Sequence, residues 1–175
     1  MSYYFPGLID TVNIPAATGV CRYSVNSGEN AIRLVLRSYN LPPASKVAIP
    51  LFVCDSLKNA VVKEGLQPLS LDLKEQAYWA GYNVEYIVSQ QVKAVILVHL
   101  YGFLHPDTQY VTEYCRKNGI PLIHDMAQSY GVNESGLGYG QVIYSFGPGK
   151  STTAAGGGLI KDIEEGFYST HVKQA

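Results

Sequence analysis

The chain has 175 residues, the size of one ordinary domain able to bury a single sizeable core. Hydrophobic residues make up 47% and charged residues only 15%, an apolar balance that points to a covered interface or to a further part of the polypeptide packed against this one. With a formal net charge of -1 and no Lys/Arg cluster, the sequence offers neither nucleic acid nor an anionic membrane an electrostatic footprint.

Residues 1–26 are rich in Pro, Gly and Tyr without a sustained period, and read as an N-terminal arm or irregular opening segment. They lack the basic-then-apolar order of a secretory leader. The three cysteines, Cys21, Cys54 and Cys115, form no C-x-x-C pair and leave an odd number, which fits reduced, buried thiols rather than a disulfide framework or zinc site. A soluble, cytoplasmic protein is expected. Ser27-Gly28-Glu29-Asn30 then opens a helical pattern with apolar Ala31, Leu34 and Val35, capped by Asn26 or Ser27 and closed near Leu41-Pro42-Pro43.

Downstream, short β-rich runs alternate with helical stretches. Strands are predicted over 46–49, 68–71, 94–98, 121–124, 141–146 and 158–161, the last returning from a hairpin-like turn with no helix between. Helices are predicted over 52–64, 83–91 and 107–117, the first closing at Gly65 and the last at Asn118-Gly119. The apolar run 94–98 is far shorter than the ~20 residues that a membrane span needs. Strand and helix in alternation predict an α/β fold, three layers with a mainly parallel sheet covered on both faces. The predicted core covers 27–161 and a polar tail follows over 162–175.

Sheets of this kind bind ligands outside the carboxyl ends of their strands. That rule selects Pro50-Leu51-Phe52, Asp72, His99-Leu100-Tyr101-Gly102, His124-Asp125 and the segment from Ser145 to Lys150. The turn at Gly28-Glu29-Asn30 would add backbone N–H groups for an anion, which suits a phosphate-bearing cofactor. Gly149-Lys150-Ser151 is not the end of a P-loop: the position that needs the first glycine is Tyr144, and Thr152 to Gly158 is a poor helix start. A lysine with an aspartate at a neighbouring strand end has another use. Pyridoxal 5'-phosphate bonds a lysine through its aldehyde and needs a carboxylate on its ring nitrogen, and Asp125 is a candidate for that carboxylate.

At this point the residues carry a resemblance. Val98-His99-Leu100-Tyr101-Gly102, the run Pro121 to Gly131 containing His124-Asp125-Met126-Ala127-Gln128, and Ser145 through Lys150 to Gly156-Gly157-Gly158 resemble the DegT/DnrJ/StrS family of sugar aminotransferases. The likeness runs from Ser27 to Lys161, and the motifs fall in the family's order. It implies a pyridoxal-phosphate enzyme of fold type I, a cytoplasmic homodimer with its sites at the subunit interface. Such an enzyme takes an amino group from an amino-acid donor, often glutamate, and passes it to a keto-sugar nucleotide.

Carried over by position, Lys150 matches the lysine that bonds the cofactor and later carries the proton between substrate and cofactor carbons. Asp125 matches the partner of the pyridine nitrogen. Gln128, expected one turn into a following helix, matches the glutamine near the ring hydroxyl. Ser145 matches the serine that binds the phosphate, beside the backbone of Gly28 and Glu29. His99 and Tyr101 belong to the motif that shapes the pocket floor, and His124 alternates to the far side of its strand and so takes a structural role.

The departures are as specific as the matches. Glu29 stands where the family has a phosphate-binding threonine, and its carboxylate opposes a dianion unless it turns away. Cys54 stands where the family places an aromatic ring that stacks on the cofactor, a loss of roughly 1 kcal/mol. The loop from Gly131 to Gly140 is shorter than usual, and the chain stops at Ala175, short of the family's small C-terminal domain. These departures favour a rival reading, a non-catalytic relative that keeps the fold as a binding or assembly module. A dehydratase of the same family would carry histidine in place of Lys150.

Overall fold

The computed structural model describes residues 3–5, 9–14, 22–72, 81–150, 152 and 156–163. The opening segment, read from its composition as irregular, contributes three strands, β1 (Tyr3–Phe5), β2 (Ile9–Ile14) and β3 (Arg22–Val25). Each pairs antiparallel with the next. β3 is then fixed by a strand some 135 residues away, Val25 opposite Gly158 and Arg22 opposite Lys161. Such pairing leaves no local periodicity to read, which is why composition alone suggested an arm.

α1 (Gly28–Ser38) forms where its apolar stripe predicts it, with Ser27 as the cap: the Asn30 amide donates to Ser27 Oγ at 3.1 Å. β4 (Lys46–Pro50), α2 (Asp55–Lys63), β5 (Gln67–Leu71), α3 (Val84–Ser89), β6 (Ala94–Val98), α4 (Thr108–Asn118), β7 (Leu122–Asp125), β8 (Gln141–Ser145) and β9 (Gly158–Asp162) follow in the predicted order. α2 starts later than predicted because Leu51 to Val53 bend away from the strand and Cys54, in extended conformation, occupies the cap position. α4 stops at Gly119, whose left-handed conformation (φ 63°) suits a residue without Cβ.

The strands make one sheet in the order β1-β2-β3-β9-β8-β7-β6-β4-β5. From β8 to β5 the neighbours are parallel, and from β8 through β9 to β1 they are antiparallel. Alternation along the parallel strands divides the core. Val47, Ile49, Ile96, Ile123 and Ile143 pack under α1 and α2, while Ala48, Val95, Leu97 and Leu122 pack under α3 and α4. Each fully buried aliphatic chain contributes about 1.5–3 kcal/mol, enough to hold helices on both faces. Between β7 and β8 no helix intervenes. Met126 and Leu137 from that loop cover Val142 and Tyr144 instead.

The triple glycine now has a cause. Gly156 (φ 129°) and Gly157 (φ 105°) turn the chain from β8 into β9 in a region closed to most side chains. A Cβ on Gly158 would lie 2.6 Å from the Ser27 carbonyl oxygen. The N-terminus of α1 thus rests directly on the backbone of β9, and the Gly157 amide donates to the Asn26 carbonyl at 3.1 Å. Of the tail expected over 162–175, Asp162 belongs to β9, and residues 164–175 lie outside the described residues.

Candidate functional site

Asp125 closes β7 on the face shared with α1 and α2. It is 6% exposed, and its Oδ1 accepts the Ala127 amide at 2.9 Å, the two-residue hydrogen bond that short acidic side chains make at turns. Burial is the main influence on this carboxyl and raises its pKa above the ordinary value. The Ala127 N–H and the positive charge of Lys150 act in the opposite sense. A carboxylate held in this way gains from any further cation brought to it.

That lysine arrives from β8. After Ser145 the chain turns through Gly147-Pro148-Gly149, with Gly149 at φ 78° and the Lys150 amide donating to the Gly147 carbonyl at 3.3 Å. Lys150 and Asp125 line a common cavity of ≈ 320 Å³, walled by Leu57, Val98 and Ala127 and bordered by Phe52, Tyr101 and Gln128. The volume is at the lower end of the range for small-molecule sites.

A smaller cavity, ≈ 30 Å³, shares Asp125 and Lys150 and reaches Gly28, Glu29 and Ser145. Here the absence of a side chain is itself structural. A Cβ on Gly28 would sit 2.7 Å from Ser145 Cβ and 3.0 Å from its Oγ, so the first turn of α1 can approach the end of β8 only through glycine. The opening N–H groups of a helix have no intrahelical acceptors, and the seryl hydroxyl beside them completes a donor set for an anion.

Two of the departures noted in the sequence, Glu29 and Cys54, resolve differently. Glu29 turns to α2, where its Oε1 accepts from Lys63 Nζ at 2.6 Å. Cys54 was expected to be a buried thiol and is exposed at the N-cap of α2, lining both cavities, with its Sγ 3.0 Å from Ser56 Oγ. Cys115 is buried as expected, which pushes its thiol up to about 12, and Cys21 lies outside the described residues.

Gln128 lines the larger cavity, but not from a helix. Residues 126–140 form turns, because Asp125 draws the Ala127 amide to its side chain and Gly131 takes φ 86°. The Gln128 carbonyl accepts from the Gly102 amide at 3.1 Å, stitching this turn to the one after β6. There Tyr101 holds φ 56°, a left-handed conformation that costs a non-glycine residue about 1–3 kcal/mol and occurs at the mouth of the cavity.

His99 and His124 face the other side of the sheet and form a closed chain. The His105 amide donates to His99 Nδ1 at 2.9 Å, which leaves the His99 proton on Nε2, 3.1 Å from His124 Nδ1. His124 Nε2–H then reaches the Tyr139 carbonyl at 3.0 Å. Burial lowers both rings, His99 to about 3 and His124 to about 4, so both are neutral at ordinary pH. His99 still lends its edge to the cavity floor. Asp72, selected from the sequence as a strand-end carboxylate, is exposed beyond β5 and does not line this cavity.

Sequence reasoning missed Lys63, whose link to Glu29 joins two helices, and the walls Leu57 and Val98, whose apolar character signals only burial. The Ala127 amide had a signal in the Asp-x-Ala spacing.

Comparison with known proteins places these features in a group. Residues 21–167 match the model of the DegT/DnrJ/EryC1/StrS aminotransferase family. A UDP-N-acetyl-3-dehydro-alpha-D-glucosamine 3-aminotransferase of Acidithiobacillus ferrooxidans is 33% identical over 140 residues, 77% of this chain and 38% of that protein. A dTDP-3-amino-3,4,6-trideoxy-alpha-D-glucose transaminase of Streptomyces venezuelae is 31% identical over 140 residues, 77% of this chain and 36% of its own length. The crystal structure of NtdA from Bacillus subtilis with bound cofactor PMP superposes with a TM-score of 0.77 at 25% identity, covering 87% of this chain and 35% of that one. The chain spans well under half the length of these proteins.

Proposed function

We propose, from the premise that this chain belongs to the DegT/DnrJ/EryC1/StrS aminotransferase family, that it forms the cofactor-binding part of a pyridoxal 5'-phosphate-dependent sugar aminotransferase. It moves an amino group from an amino-acid donor, glutamate, onto a keto-sugar nucleotide in the making of surface polysaccharide or secondary-metabolite sugars. The observation that carries this reading is the buried Asp125 carboxyl, in one cavity with Lys150 and contiguous with the Gly28–Ser145 cradle.

The donor set fits the cofactor. A phosphate is matched by Ser145 Oγ and the opening amides of α1 at Gly28 and Glu29, where a Cβ on Gly28 would close the approach. Asp125 supplies a carboxylate for the ring nitrogen, and Gln128 an amide for the ring hydroxyl. When bound, pyridoxal phosphate supplies an electrophilic carbonyl carbon and a ring that withdraws electrons from the substrate's α-carbon.

Lys150 does the work of this chain at that carbon. Its amine would hold the cofactor through the aldehyde carbon and, when free, would accept the proton from the substrate's α-carbon and hold it for return to the cofactor carbon. Asp125 keeps a proton on the ring nitrogen by offering a negative charge in a dry site. Leu57, Val98 and Ala127 keep water from that charge.

Leu51, Phe52, Tyr101, Phe103 and Tyr130 are exposed, with Phe52 and Tyr101 lining the cavity, which supports closure of the site by a second copy in a homodimer. None of the described helices is long and apolar enough to cross a membrane. Cys54, with no ring to offer, favours the second reading, a relative that keeps the fold for binding alone.

The two separate on one experiment. Purified protein mixed with pyridoxal phosphate is expected to turn yellow, and borohydride to fix the cofactor on Lys150, as read by peptide mass spectrometry; Lys150→Ala should stay colourless. A colourless wild-type protein with unmodified Lys150 would overturn the enzyme reading.

A further inference from the structure

We infer that Lys63 is a positioning residue of the phosphate cradle, holding the Glu29 carboxylate out of the space that an incoming phosphate fills. The inference rests on the reading of the Gly28–Ser145 junction as that cradle.

Glu29 is the second residue of α1 and borders the small cavity with Gly28 and Ser145. At the N-terminus of a helix a carboxylate is attracted by the helix dipole and by the opening amides, the same features that attract a phosphate. The two anions compete for one site, and their mutual repulsion adds to the competition. A glutamate here would weaken phosphate binding if left to itself.

It is not left to itself. Lys63 Nζ donates to Glu29 Oε1 at 2.6 Å. Lys63 lies in the last turn of α2, while Cys54, Ser56 and Leu57 at the other end of that helix line the small cavity. Seven residues separate Ser56 from Lys63, about two helical turns or 10 Å. The pair therefore draws the carboxylate along α2, away from the end that meets the cavity. The two arginines of α1 are committed elsewhere: Arg33 and Arg37 both bind Glu64, at 2.8 and 2.9 Å. The neighbouring Asn30 donates its amide to Asn26 Oδ1 at 2.5 Å. Lys63 is the cation that meets Glu29.

An opening of this kind gives the cradle a conditional affinity. With Lys63 in place, the amides of Gly28 and Glu29 and the Ser145 hydroxyl face an incoming dianion. Without it, the Glu29 carboxylate returns to its own helix terminus and competes.

The test compares pyridoxal phosphate with pyridoxal, which differ in the phosphate alone, by titrating visible absorbance of the wild type, Lys63→Met, Glu29→Gln and the double variant. Lys63→Met should raise the dissociation constant for pyridoxal phosphate about three- to fivefold, the scale of a partly exposed ion pair, and leave that for pyridoxal unchanged. Glu29→Gln should bind pyridoxal phosphate at least as tightly as wild type, and in that background Lys63→Met should have no effect. Equal weakening toward both aldehydes, or a loss that persists undiminished with Glu29→Gln, would overturn the positioning role. Should neither aldehyde react at Lys150, the function proposed above fails. Inorganic phosphate, titrated by phosphorus-31 line width, then carries the comparison: the same order of variants supports the role, and equal binding by all four overturns it.

Discussion

His124 and Asp125 are neighbours on β7, both buried and both polar, and they meet opposite fates on the two faces of one sheet. His124 is closed within the protein: one ring nitrogen meets His99 and the other the Tyr139 carbonyl. Asp125 has the Ala127 amide on Oδ1 and otherwise the charge of Lys150 across a cavity. Burial alone does not separate a structural polar group from a functional one. What separates them is whether the protein itself satisfies the group or leaves it to be satisfied by something that binds.

The contrast can be broken first at Asp125. Asp125→Asn keeps an acceptor for the Ala127 amide and removes the charge. The rate at which glutamate bleaches the Lys150-bound cofactor should fall by about 10²–10³-fold, the usual loss when one preorganised electrostatic partner is removed. The thermal midpoint of the cofactor-free protein should stay level or rise, since the charge is disfavoured by burial. A large drop in midpoint would make Asp125 a structural residue like its neighbour.

At His124 the pattern should invert. His124→Leu leaves the His99 Nε2 proton without an acceptor in the core, a loss of about 1–3 kcal/mol in chemical denaturation. The cofactor should still attach to Lys150 in the variant. The two groups also respond to pH with opposite sign. His99 and His124 titrate at about 3 and about 4 in the folded protein, below the unfolded value of about 6.5. The unfolded chain therefore binds protons first, and the stability these rings confer is complete above about pH 6.5 and is lost as pH falls toward 4 and then 3. Asp125, with its pKa raised, contributes stability below the unfolded carboxylate value and loses it as pH rises through its folded value. His124→Leu should flatten the acid limb of a stability profile, and an unchanged limb would break the assignment.

A smaller effect is expected at the cradle. Gly28→Ala forces a methyl group to 2.7 Å from Ser145 Cβ, so α1 and β8 must part. Overpacking of this kind costs about 1–3 kcal/mol, and the dissociation constant for pyridoxal phosphate should rise while that for pyridoxal moves less. Adding Ser145→Gly should restore stability without restoring the phosphate preference.

The parallel half of the fold and the helices over it were legible because each is a local period, apolar runs for buried strands and a 3.6-residue stripe for α1. Of the antiparallel half, β9 was legible as the return from a hairpin-like turn after β8, while β1 to β3 were not, since β3 earns its place from β9 at the far end of the chain. Among site residues, Asp125, Ser145 and Lys150 lie at strand ends, and the strand order brings them to one cavity edge. Gln128 was placed on a helix that the Asp125 side chain prevents by taking the Ala127 amide. Glu29 read as an obstacle because its partner, Lys63, is set by the packing of two helices and leaves no mark at Glu29 itself.

The most direct test is the titration of the Asp125 carboxyl carbon by carbon-13 NMR, assigned through its absence in Asp125→Asn, with and without pyridoxal phosphate. In the cofactor-free protein the midpoint is expected above the ordinary aspartate value of about 3.9. With the cofactor bound it should fall, since a protonated ring nitrogen holds the carboxyl ionised. A midpoint that stays where it was on binding would contradict the claim that Asp125 is buried to await that charge.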